Sequence, residues 1–323
     1  MYTTQEEWLD TIRREYLHNF IERGGAAVKF CVPMEDIEHN RLLPLLRKIS
    51  EEENYIFTSV DAVSTKIHLI DKLFHEVARQ IDWDELSYTF VKKLFTQNGY
   101  ELPIQRDDFN IQYIAGLNQR EEMFLRRELR SWLEKEIFSD FEMSQEFRIA
   151  MIRLCLNQLD TAGPSDFLSN AVKEWLQGEL RLISTLKEAL IFQKITRHNA
   201  RHMLFSLAHW LRINGKSGLV LALDITRYLI STKSKNPDEG FFYSLPAVLD
   251  VYEVLRQFID GTDEMEGLLV IILAPKGFLQ DDKRGLSRYD ALKLRIWDEV
   301  RDSQRQNPLA SMVRLSSRYR SAG

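Results

Sequence analysis

The 323 residues are 44% hydrophobic and 28% charged with 14 glycines and 8 prolines, a balance that excludes a disordered or all-β chain and suits a helix-rich protein of two packed units. A net charge of -5 excludes a surface that is basic all over, so any nucleic-acid contact has to be local. The acidic opening MYTTQEEWLD and the lack of a membrane-length apolar run predict a chain neither exported nor inserted, and Cys31 and Cys155, both in apolar stretches, read as buried reduced thiols of a cytoplasmic protein.

In chain order, Trp8, Ile12, Tyr16 and Phe20, widened by Leu9 and Leu17, predict an amphipathic helix ending at Gly24 and Gly25. Ala27 to Val32 reads as a buried strand, Pro33 to Asn40 as a polar loop, and Leu42, Leu43, Leu45, Leu46 and Ile49 as a helix. A second strand, Tyr55 to Val60, completes a right-handed βαβ unit and leaves Asp61 at the end where open sheets place ligands.

From Ile67 to Phe95 and from Arg120 to Phe192 the apolar spacing is helical, broken by the turn Asp160 to Asp166. The sheet resumes with GLVLALD (Gly218 to Asp224) and GLLVIILAP (Gly267 to Pro275), continuous apolar runs typical of strands covered on both faces, joined by a helix from Pro246 to Ile259. A last helix follows Gly285, and SMVRLSSRYRSAG has no clear period. The expected architecture is an α/β, P-loop NTPase-like (AAA/STAND-like) three-layer core with a parallel sheet over residues 1–65 and 195–302, a helical insertion over 66–194, and a basic tail over 303–323.

A P-loop holds phosphate because GxxxxGK[ST] lets backbone N–H groups wrap it, while Lys and Ser/Thr meet the terminal phosphates and magnesium. Here PMEDIEHN occupies that place, with Pro33 and Glu38 at the glycines, His39 at the lysine and Asn40 at the hydroxyl residue. Proline removes a donor, side chains obstruct the approach of phosphate, and Glu35, Asp36 and Glu38 oppose a polyanion. The strand ending at Asp224 keeps the magnesium acid of such sites, but Ile225 follows where AAA-like ATPases carry the glutamate that activates water.

Three blocks, GGAAVKFCV, ITRHNARHMLFSLAHWLRINGKSGLVLALD and VLRQFIDGTDEMEGLLVIILAPKGFLQDDKRGLSRYDALKLRI, resemble the P-loop ATP-binding proteins of bacterial BREX-type anti-phage defence systems, the BrxD-like family. That family keeps GxxGxGK[ST] and Asp-Glu where this chain has neither. The resemblance therefore implies the fold and a place in a multi-subunit defence complex, with an active ATPase paralogue or DNA as further partners, but not ATPase activity. The expected molecule is a non-catalytic assembly subunit, a homo- or hetero-oligomer, with no tight binding of ATP or magnesium.

Other clusters carry weaker signals. Glu35, Asp36, Glu38 and His39 are suitable cation donors but read more simply as a solvated loop, and His198 and His202 have zinc spacing without the HExxH glutamate, Asn199 standing in its place; His209 falls near the same face. Lys283, Arg284, Arg288, Lys293 and Arg295, with Arg305, Arg314, Arg318 and Arg320, are candidate partner or DNA contacts, interleaved with Asp282 and Asp290, and Tyr289 and Tyr319 are candidate base-stacking rings. Arg295 is also a candidate arginine finger. No nucleophile elbow or Cys/His pair is present. Two alternatives remain: an ATPase using Asp61 and Asp224 for magnesium, and a DNA-binding module using the C-terminal arginines.

Overall fold

The computed structural model describes residues 3–33, 39–160, 164–228, 240–297 and 307–316, with the side chains of 39–40 and 164–166 outside that description. The chain divides into two compact units, one of residues 1–77 and 211–323, the other of residues 78–210.

The first unit is built on six parallel strands: β1 (Thr3–Thr4), β2 (Ala26–Pro33), β3 (Tyr55–Asp61), β4 (Gly218–Asp224), β5 (Leu268–Leu273) and β6 (Met312–Ser316). Their order is β1-β6-β2-β5-β4-β3, so β5 lies between the strand that precedes PMEDIEHN and the strand that ends in Asp224. Every residue from Gly218 to Leu223 and from Leu268 to Leu273 is buried, which explains why both strands are continuous apolar runs rather than alternating ones.

One face of the sheet is covered by α1 (Gln5–Thr11), the π-helical segment Ile12–Ile21 and α2 (His39–Glu52), whose Trp8, Ile12, Leu17, Leu42 and Leu46 pack on Cys31, Val220, Ala222, Leu269, Ile271, Val313 and Leu315. On the other face, α10 (Leu245–Asp260) and α11 (Gly277–Gln280) contribute Tyr252 and Phe278, with the Phe30 and Phe278 rings stacked at 5.9 Å. The result is a three-layer, P-loop NTPase-like α/β fold, as expected.

Two local expectations are corrected. The opening helix does not bury Phe20, which is 50% exposed, and Tyr16 is only half-buried against the core; the buried residues are Trp8, Thr11, Ile12, Leu17 and Ile21. The π-helical winding lengthens the repeat beyond 3.6 residues per turn, so from Trp8 to Ile21 the inward stripe advances by four, five and four positions. The segment after 303 is not wholly a tail, because β6 runs between β1 and β2 with Val313 and Leu315 fully buried. A five-residue strand offers too few alternations to show a period, and pairing with β2 supplies what its sequence does not.

The second unit contains, among the described residues, helices and no strand. Its helices are α4 (Trp83–Gln97), α5 (Ile111–Leu117), α6 (Glu122–Leu133), α7 (Gln145–Asn157), α8 (Pro164–Gln177) and most of α9 (Ala200–Ile213); α3 (Ile70–Arg79) and α9 carry the chain out of and back into the sheet unit. The breaks at 77/78 and 210/211 fall within those helices, later than the expected 65/66 and 194/195. Its core is mainly aliphatic with aromatic contacts among it, Phe90 on Trp210 at 4.6 Å and Phe95 against Trp132 at 5.3 Å. Cys155 is buried on α7, and burial pushes its thiol well above the usual range, in keeping with a packing role. No helix of the described residues is long and apolar enough to cross a membrane.

Candidate functional site

The carboxyl ends of the parallel strands are where an open α/β sheet binds ligands, and β2, β4 and β3 deliver Pro33, Asp224 and Asp61 to that edge. Pro33 is still part of β2, with its Cα in register with Leu315 of β6, so the strand runs through the residue that the sequence pattern sets at the first P-loop glycine. The backbone of residues 39–40 opens α2, and Glu38 lies outside the described residues. Pro44, inside α2, removes the N–H that would bond the carbonyl of residue 40.

Asp224 is in register with Asp61 on β3 and with Leu273 on β5. Its Oδ1 accepts the backbone N–H of Thr226 at 2.9 Å and the Thr226 hydroxyl at 2.5 Å. Asp61 is used in the same manner, its Oδ1 accepting the Val63 N–H at 2.7 Å. Both acids thus close turns at the ends of their strands. Ile225 is fully buried and its N–H donates to Leu273 O at 2.9 Å, so the position after the acid belongs to the core. The strand order separates β2 from β4 by two interstrand spacings, about 10 Å.

The sequence model of the family described as BREX system ATP-binding protein BrxC/D matches residues 114–320, well over half of the chain. The chain belongs to that family. In this BrxC/D chain the match takes in β4, β5 and β6, including the two longer blocks that carried the resemblance. It begins beyond β2, α2 and β3, so GGAAVKFCV and PMEDIEHN precede the matched region. Comparison with curated proteins and with solved structures returned no match.

The candidate contact residues of this BrxC/D chain are dispersed. Arg284 donates to Tyr243 O, Arg288 ends a short 3-10 turn, and Lys293 lies with its Nζ 5.9 Å from the Trp297 ring. Arg295 is bound to Asp260 through two guanidinium nitrogens and donates to Ala291 O at 2.6 Å, an engagement opposite to that of a finger reaching into a neighbour. Arg314 sits on β6, separated from β5 by β2, while Arg305, Arg318, Arg320 and Tyr319 lie outside the described residues. In the helical unit His209 pairs with Asp140 at 2.8 Å. Among the described residues no group of three or more His, Cys, Asp or Glu is placed to hold a metal ion, and Glu35, Asp36 and Glu38 fall outside them.

Two residues with defined roles escaped sequence reasoning. Thr226, which occupies Asp224, is signalled only by the Asp-x-Thr spacing of a side-chain turn. Lys29 is 3% exposed in β2, its ammonium donating to Tyr16 Oη at 2.9 Å and Leu309 O at 2.6 Å, and burial lowers its pKa to about 7. A lone lysine within AVKFCV was the available signal.

Proposed function

We propose that this BrxC/D chain is a catalytically degenerate ATPase-like subunit of a BREX defence complex. In this reading it is cytoplasmic, keeps the domain surface for assembly with other subunits or an active ATPase paralogue, and neither holds magnesium–ATP tightly nor hydrolyses it. The observation that carries the reading is Ile225: the position that supplies a water-activating glutamate in active relatives is a fully buried side chain tied to β5.

Three further features support it. Asp224 spends an oxygen on Thr226, Pro33 extends the strand where a glycine turn would begin, and the following loop brings Glu35, Asp36 and Glu38 without a lysine. One carboxylate about 4 Å from a phosphate opposes binding by roughly 4 kcal/mol at an effective dielectric near 20, enough to erase ordinary nucleotide affinity. These residues do not fit a magnesium–triphosphate.

Titration calorimetry with Mg-ATP, paired with a phosphate-release assay on the purified chain, is expected to give neither saturable heat nor turnover. Saturable micromolar affinity would overturn the reading. Co-expression with the other products of its operon tests assembly: Asp224→Ala is expected to co-purify with the same subunits as the wild type, because the acid serves a turn and not a nucleotide-dependent interface.

A further inference from the structure

The segment Gly240–Tyr243 leads into α10 and lies against the loop that follows β3, at the ligand-binding edge of the sheet. Gly240 has φ +85°, and a Cβ there would stand 2.2 Å from Val63 Cγ1 and 2.6 Å from Val63 O, so glycine is required for the approach. The Phe241 N–H donates to Val63 O at 2.9 Å. Tyr243 is 1% exposed; its hydroxyl lies 2.9 Å from Ala62 O and 2.7 Å from Thr65 O and accepts the Ile67 N–H at 3.2 Å.

Backbone, Gly240, Tyr243 and one nitrogen of the half-buried Arg284 guanidinium, which donates to Tyr243 O, therefore anchor this segment, and the two phenylalanine rings are not needed for it. Phe241 and Phe242 remain 42% and 40% exposed. Each carries a cation, Lys66 Nζ at 5.0 Å from the Phe241 centroid and Arg284 Cζ at 5.7 Å from the Phe242 centroid. Neighbouring acids are partly committed: Asp61 Oδ1 accepts from Val63, and Asp281 Oδ1 accepts the N–H groups of Lys283 and Arg284, whereas Asp282 is exposed and opposes an anion.

We propose that Phe241 and Phe242, with Lys66 and Arg284, form a stacking platform for single-stranded nucleic acid, the rings taking unpaired bases and the cations the adjoining phosphates. Exposed aromatics with cations beside them suit a strand that alternates flat bases with anionic links, and a duplex hides the base faces that the rings would read. A purely apolar partner would instead strip water from the ammonium and the guanidinium without supplying a counter-charge. The proposal is independent of whether the chain binds ATP, and it uses Arg284 and not the C-terminal arginines.

The test is fluorescence anisotropy of end-labelled oligo-dT with the full chain at about 50 mM salt. Saturable binding is expected, weakened about tenfold or more by Phe241→Ala and by Phe242→Ala, largely kept by Phe241→Trp, and less salt-sensitive in Lys66→Ala. The corresponding duplex is expected to bind at least about tenfold more weakly. Lys66→Glu, an exposed change that leaves the segment's anchors intact, guards against misfolding of the phenylalanine variants and is expected to weaken binding as well. Absence of saturable binding, equal affinity for duplex, or affinity unchanged by both the phenylalanine and the Lys66 substitutions would each overturn the proposal.

Discussion

Lys29 stands on a strand read as buried, and its two hydrogen bonds, to Tyr16 and Leu309, do not offset the loss of water around its charge. Its folded pKa of about 7 lies below the ordinary 10.5, so between those values the unfolded chain binds more protons and stability rises with pH. The contribution is complete above 10.5 and is lost as pH falls through 7. Comparing wild type with Lys29→Met by chemical denaturation, the difference is expected to move in favour of the wild type by on the order of 3 kcal/mol between those limits. A pH-independent difference would show that the ammonium stays charged throughout. Asp224 makes the opposite point at the same scale: its identity was legible, and its engagement with Thr226 was not.

Among the elements, α10 is fastened to the segment Asp290–Ile296 (α12) by charge. Glu253 receives Arg256, Gln257 and Tyr289, and Asp260 receives Arg256 and Arg295. The Arg256 hydrogen bond is the largest cause holding the Glu253 carboxyl down at about 2, against an ordinary 4.5. A depressed acid stabilises the fold above its unfolded value and loses that contribution as pH falls through the folded one. Glu253→Gln is therefore expected to cost about 1 kcal/mol near neutrality, a figure discounted for the partial exposure of the pair, and progressively less from pH 4.5 down to 2. Thermal melts of both proteins across that range check it. In β6, Leu315→Ala is expected to cost about 2–5 kcal/mol, because the side chain is fully buried beneath the N-terminal helices.

For the whole molecule, β6 lies between β1 and β2, so Met312–Ser316 belong to the sheet. Truncation after Gln304 is expected to abolish cooperative unfolding, seen as loss of near-ultraviolet circular dichroism and of a sharp melting transition. A truncated chain that melted like the full one would show that β2 tolerates an open edge. Such a truncation also cannot isolate a role of Arg305, Arg318 or Arg320 in binding DNA; single substitutions of those arginines can. The match to the BrxC/D family over residues 114–320 likewise runs through this strand.

The sequence by itself determined the parallel α/β class and the central strands, and it carries the substitutions on which the proposed loss of phosphate binding rests. Buried parallel strands such as β4 and β5 announce themselves as unbroken apolar runs, and the proposed loss of nucleotide binding is read from Pro33, His39 and Ile225 standing where a P-loop site would carry glycine, lysine and glutamate. Tertiary structure alone decided the strand order, the recruitment of Met312–Ser316 into the sheet, the π-helical shift that turns Ile21 inward in place of Phe20, and the pairing of Arg295 with Asp260. Each of these depends on partners distant along the chain or on small changes in backbone winding, and local periodicity encodes neither.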